Sequence, residues 1–228
     1  MFICILRAEK LYLNIKYLGL NVVKVEISNN NLDQLTVKAR STALASIAAG
    51  MDNTYSIVYE DNHLPRLYTK KINQKNYTEA REIFYDREKL LAYRTSFLDP
   101  ARSSIYSIRE ESRDFFSALF YLPSRLDEEQ GEFWIDAARV TWKATFVNLG
   151  KEVLNTAIGR LPTTKVRIEF QKSSAEEPER SDMLTNNLVS ENNSLYIWYS
   201  DDDKAIPVKA RFNMSPFPVV WKLESYVP

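Results

Sequence analysis

Apolar and polar residues alternate with a period of two along most of the chain, the pattern of strands with one buried and one wet face. It is clearest from Leu195 to Phe212 (LYIWYSDDDKAIPVKARF), where Leu195, Ile197 and Tyr199 oppose Tyr196, Trp198 and Ser200. Asp201, Asp202, Asp203 and Lys204 then supply turn chemistry, because short acidic side chains hydrogen-bond their own backbone. On the return, Ile206, Val208 and Ala210 alternate with Pro207, Lys209 and Arg211. Proline has no N–H for a ladder, so Pro207 belongs at an edge or near a strand start. The stretch predicts a hairpin in which Ile197 and Trp198 point to opposite faces.

The same period recurs from the beginning of the chain. Leu11, Leu13, Ile15 and Tyr17 form one face of a strand, Val23, Val25 and Ile27 the next, and Leu35, Val37 and Ala39 a third, with Asn29-Asn30-Asn31 as a break. The small residues of Ser41 to Gly50 are read as continued strand, followed by a turn. Strands are expected at Tyr55 to Glu60 and Arg66 to Ile72, around the turn signal at 61–65. Tyr77 to Arg94 has a helical composition, but its loose alternation and its neighbours favour two short strands around 86–89. Further strands are predicted at Phe133 to Ile135, Val140 to Phe146, Val153 to Ile158, Val166 to Phe170 and Val219 to Tyr226.

One segment breaks the period. Within Asp99 to Leu122, Phe115, Leu119 and Leu122 recur at helical spacing with Phe116 and Phe120 beside them, and Pro123 stops the run. Ser103, Ser104 or Ser112 are candidate caps, and Arg109 to Arg113 would form a more polar first half. The expected architecture is mainly β: a strongly curved antiparallel sheet or barrel with one amphipathic helix, around Asp114 to Leu122, packed on or in it. Gln171 to Ser194, rich in Ser, Asn and Glu, is expected to be a mobile polar loop.

Composition narrows the class of protein. The chain of 228 residues is read as a single domain, 1–228, long enough to bury a core without a metal or disulfide staple. Thirty basic residues balance thirty acidic ones, which argues against nucleic acid as an obligate partner. Five glycines beside thirteen Tyr, eleven Phe and four Trp suit strands better than phosphate-binding loops. Cys4 is the sole cysteine, and Met1 to Leu6 (MFICIL) is too short for a secretory signal. No transmembrane segment is read, and a monomer is expected.

Candidate chemistry is sparse. One His (His63) and one Cys exclude a Cys/His zinc site, and His63 in a turn lacks an evident partner. Asp201 to Asp203 lack the spacing of a calcium loop, and Glu79, Glu82, Asp86 and Glu88 interleave with Arg81, Arg87 and Lys89 as on a salt-bridged solvent face. Neither a metal, a cofactor nor a catalytic set is assigned, and the chain is read as a non-enzyme. If the curved sheet encloses an apolar small molecule or lipid, the candidate lining is Trp142, Trp198, Phe115, Leu119 and Tyr196. The alternative is a structural or interaction domain that offers a sheet edge to a protein partner.

Several segments, in order, carry a family resemblance. AEKLYLNIKYLGLNVVKVEI, LPRLYTKKI, REIFYD, RDFFSALFYLPS and IWYSDDDKAIPVKARF resemble the corresponding stretches of a bacterial exported family catalogued as domain of unknown function 3108. Leu20 to Val23 departs from that family's Ala-Gly pair, and Pro123 to Arg125 interrupts its Leu-Arg. The resemblance implies a secreted antiparallel β domain of the periplasm or outer envelope, with no established reaction and no catalytic residues to transfer.

Overall fold

The computed structural model describes residues 9–30, 33–173, 175–179, 181–185, 188–213 and 217–228. The opening MFICIL with Cys4, and Asn31 of the asparagine break, lie outside them. Fourteen strands form one antiparallel sheet: β1 (Glu9–Tyr17), β2 (Leu20–Asn29), β3 (Gln34–Ser41), β4 (Met51–Glu60), β5 (Leu64–Gln74), β6 (Tyr77–Asp86), β7 (Leu91–Ser96), β8 (Ser104–Ser107), β9 (Gln130–Ala137), β10 (Val140–Thr156), β11 (Gly159–Lys172), β12 (Leu195–Ser200), β13 (Pro207–Phe212) and β14 (Val219–Val227). Two helices, α1 (Ala43–Ala49) and α2 (Phe115–Tyr121), interrupt the meander.

The spatial order runs from β8 back to β1, then through β14 down to β9, so the pairing of β1 with β14 sits at the centre. The sheet curls until its edges approach, but β8 and β9 do not pair. The seam is joined instead by Arg113, whose N–H donates to the Trp134 carbonyl (3.0 Å) and whose carbonyl accepts from the Asp136 N–H (2.8 Å). The Arg113 guanidinium is itself buried, donating to the carbonyls of Asn62 and Glu111 at 2.9 Å and stacking on the Tyr121 ring. The exposed backbone of an edge strand invites pairing with other chains, and here Arg125 also covers the Glu132 carbonyl of β9 (2.7 Å).

Helix α2 fills the barrel interior. Asp114 caps it by accepting from the N–H groups of Phe116 (2.9 Å) and Ser117 (3.2 Å), and Phe116 packs against Tyr55 inside the sheet with tilted rings 5.0 Å apart. Tyr199 of β12 donates to the Leu119 carbonyl (3.0 Å), fixing the hairpin against the helix.

Four expectations need correction. The helical run is shorter than Asp99 to Leu122: Asp114, not a serine, caps it, and Ser104–Ser107 upstream is a strand that pairs with β7, followed by a turn at 109–112. Ser41 to Gly50 is not continued strand, since the Thr42 side chain accepts from the Ala45 N–H and starts α1. Val153 to Ile158 is not a separate strand: β10 runs through to Thr156, with a register shift between Asn148 and Lys151 absorbing Gly150 at φ 90°. Finally, the 173–194 loop is not simply polar and loose, because Asp182, Leu184, Leu188 and Val189 are buried. The two strands around 86–89, the 195–212 hairpin and Pro207 as a first strand residue are as expected.

Because every pairing is antiparallel, the connections β1–β2, β3–β4, β5–β6, β7–β8, β9–β10, β11–β12 and β13–β14 all fall at one end, here the upper one. The β8–β9 connection, which contains α2, enters from the lower end. Truncating Phe116 to Ala is therefore expected to cost about 3–5 kcal/mol, against less than about 1 kcal/mol for Phe84→Ala on the outer face, in urea unfolding. Equal losses would mean that α2 is not part of the core.

Candidate functional site

Even-numbered positions of β5 and odd-numbered positions of β6 face inwards, and at the upper end of the barrel several of them are charged. Lys70 of β5 and Glu79 of β6 are each about 1% exposed, and Arg81 of β6 and Arg94 of β7 are nearly as deeply buried. Glu79 is the hub: one carboxylate oxygen accepts from Arg81 (3.1 Å) and Arg94 (3.2 Å), and the other lies 3.7 Å from the Lys70 ammonium. Unpaired buried charges are prohibitively costly, so such groups persist inside only as mutual partners.

The 173–194 loop completes the set from above. Asp182 Oδ2 lies 2.6 Å from Lys70 Nζ, its Oδ1 accepts from the Tyr55 hydroxyl (2.6 Å), and the Leu184 and Thr185 N–H groups also donate to Oδ1 at 2.9 and 3.1 Å. Ser181 accepts from Lys70, and Glu179 pairs with Arg94 and with Arg102 (2.6 Å). Burial alone would raise the Asp182 carboxyl, but the Lys70 charge and the hydrogen bonds from Lys70, Thr185 and Tyr55 outweigh it and hold the group far below the usual carboxylate range. The loop is thus strapped down by its own anions.

Beside this network lies a cavity of about 60 Å³. Asp136 of β9 reaches it across the seam, where its Oδ2 accepts from the hydroxyls of Tyr85 (2.9 Å) and Tyr106 (2.8 Å). Burial pushes its carboxyl up to about 6, in spite of those two hydrogen bonds. Arg81 Nε, Arg94 Nε and Asp136 Oδ1 are buried with no hydrogen-bond partner among the described residues, and all three residues line the cavity.

The residues put forward from sequence are divided by the structure. Trp142 lines the charged chamber, with its indole N–H on the Ala137 carbonyl (3.2 Å), and Phe115 stands beside it. Phe115 and Leu119 also border a separate apolar cavity of about 20 Å³ with Leu195 and Ile197. Trp198 and Tyr196 are elsewhere, on the outer face of the hairpin with ring centroids 6.4 Å apart. Lys209 (4.0 Å) and Lys165 (5.0 Å) cover the Trp198 ring, and its indole N–H donates to Glu152. This explains how Ile197 and Trp198 are both buried while facing opposite ways: the Lys165 and Lys209 ammonium groups cover the outer ring. The carboxylates read as a solvent face are divided too, since Glu79 is interior while Asp86 pairs with Lys89 (2.7 Å) at the surface. Asp202 Oδ1 accepts from Ser200 Oγ (2.7 Å) and the Ala205 N–H (3.1 Å), as turn chemistry requires. Half-buried His63 lies between the rings of Tyr59 and Phe120. Among the described residues no three His, Cys, Asp or Glu side chains gather as metal ligands would.

Comparison with known proteins places the chain. The model of a family described as Protein of unknown function (DUF3108) matches residues 11–216. The chain belongs to the DUF3108 family. No curated protein matches it. Among solved structures it resembles a beta-barrel-like protein of domain of unknown function DUF1849 from Brucella abortus, with a TM-score of 0.62 over 97% of both chains and 8% identity. At that identity the likeness is one of fold, and it shows this DUF3108 barrel to have a structural counterpart in a second family.

The Asp136 carboxyl gives this DUF3108 chain a pH signature. A folded-state value near 6, above the unfolded value near 4, means the folded protein holds a proton that the unfolded chain has released. Its contribution is therefore complete below about pH 4 and lost as pH rises through 6. Asp136→Asn removes the titration, so its urea-unfolding free energy should gain on wild type by up to roughly 3 kcal/mol between pH 4 and 7. A difference that does not change with pH would refute this assignment.

Proposed function

We propose that this protein is a non-enzymatic protein of the cell envelope that rests against a lipid surface with the upper end of its barrel. The observation that carries this reading is the distribution of exposed apolar side chains. Leu18 and Leu20 stand at the β1–β2 turn, Leu44 and Ile47 on α1, Phe97 and Leu98 between β7 and β8, Met183 on the strap and Phe217 before β14, each 45–75% exposed. All of these connections lie at the upper end. Apolar side chains on separate protruding loops around one rim suit insertion into an interface better than closure around a single peptide.

Local conformation strengthens the point. Leu18 and Gly19 form a two-residue hairpin turn at φ 53° and 79°, positions at which Asn-Gly is the inexpensive choice. An exposed leucine there costs both backbone strain and solvation, which a contact through that side chain would offset.

The interior supports contact at the rim over enclosure of an apolar ligand. The cavities of about 60 and 20 Å³ that Phe115 borders are far below the several hundred Å³ of a small-molecule site. Lys70, Glu79 and Asp182 are engaged in ion pairs with one another and with the flanking arginines, which supports a binding role over catalysis. The envelope assignment rests on the family resemblance. Sheet-edge pairing with a protein is the second reading, favoured by the β8 edge, where Ile105 is 62% exposed.

Flotation with vesicles of phosphatidylethanolamine and phosphatidylglycerol tests the contact. The full chain should float with the vesicles, and Leu18→Asn with Ile47→Glu should reduce the bound fraction at least about tenfold while leaving stability equal or higher, since Asn suits the left-handed turn. A wild-type chain that stays with the soluble fraction, or a variant that floats equally well, would contradict it.

A further inference from the structure

Three residues that line the chamber beneath the strap each carry a buried polar atom with no hydrogen-bond partner among the described residues, and the three are not all of one kind. Arg81 Nε and Arg94 Nε are donors, and Asp136 Oδ1 is an acceptor. All three residues are at least nine-tenths buried and border the same cavity. Glu79 accepts from one terminal nitrogen of each of Arg81 and Arg94, Glu179 pairs with the other of Arg94, and Asp136 Oδ2 accepts from the Tyr85 and Tyr106 hydroxyls. Both tyrosines donate to Oδ2, which suits an ionised Asp136 whose second oxygen still seeks a donor.

We propose that this chamber is a binding site for a small oxyanion that carries a proton, of the hydrogen phosphate or hydrogen carbonate class. Such an ion accepts from the two guanidinium N–H groups through its charged oxygens and donates its own O–H to Asp136 Oδ1, matching both kinds of orphan at once. A fully deprotonated oxyanion matches only the donors and sets an oxygen against the carboxylate, which like charges oppose. The cavity of about 60 Å³ is several times the ~10–15 Å³ that one water needs, and it holds a small ion but no extended ligand. Arg139, an exposed residue of the β9–β10 turn, and half-buried Pro178 of the loop are among the residues that line it. Asp182 and Glu179 hold the strap over the site without using the three orphan atoms.

Sulfate and phosphate differ little in size, and only phosphate carries a proton near neutral pH, so the pair tests the inference on the whole chain. Calorimetric titration at neutral pH should show one saturable site for phosphate and at least about tenfold weaker binding of sulfate, with hydrogen carbonate competing for the phosphate site. In Asp136→Asn the side-chain N–H₂ would face the ion where the carboxylate oxygen did, so the phosphate-to-sulfate preference should fall to near unity or invert. Should that variant fail to fold, the wild-type ratio and the bicarbonate competition still decide. Wild-type protein that binds neither phosphate nor hydrogen carbonate, as a chamber holding only water would, or that binds sulfate as well as phosphate, would overturn the proposal. Retained preference in a folded Asp136→Asn protein would do the same.

Discussion

A lysine and a glutamate face each other inside this barrel, and much of its upper half is arranged to make that tolerable. Lys70 and Glu79 come from neighbouring strands, and neither can be left alone in a low-dielectric interior. Arg81 and Arg94 share Glu79, while Asp182 is brought down from a loop to answer Lys70. Removing one member of such a set strands the others, a loss of roughly 3–5 kcal/mol, whereas the intact set adds little net stability. Its effect is specificity of placement: the loop must lie where Asp182 meets Lys70.

Two consequences join the interior to the surface. With α2 packed up from below and the strap tied down from above, the curled sheet is filled, and a long apolar ligand has no room inside it. Eight exposed apolar side chains stand on loops of the upper rim, Met183 of the strap among them. Met183, exposed at that rim, is the immediate neighbour of buried Asp182, so contact at the rim and order in the chamber are linked through adjacent residues.

Strand periodicity was legible because it depends only on neighbours two apart, and it located the meander, the 195–212 hairpin and Pro207 without tertiary information. The helix around Phe115 to Leu122 was legible for the same reason, but Asp114 as its cap was not, because a run of serines upstream offered equally good local signals. The charged chamber was the least visible part. In EAREIFYD the charges look like a solvated face, and only the cross-strand register with β5 and β7 turns Glu79 and Arg81 inward beside Lys70 and Arg94. Asp182 sits over a hundred positions from Lys70 in a polar stretch whose composition suggests mobility. Trp198 misled in the other direction: a tryptophan in a strand suggests an interior wall, yet the Lys165 and Lys209 ammonium groups cover this one on the outside.

The strap is part of the core because buried charges hold it there. Native-state hydrogen exchange at the Leu184 and Thr185 amides, which donate to Asp182 Oδ1, tests it most directly. Both amides should exchange about as slowly as the β5–β6 ladder in wild type, and lose that protection selectively in Lys70→Met while the strands keep theirs. Rapid exchange in the wild-type protein, or protection that survives Lys70→Met, would contradict it.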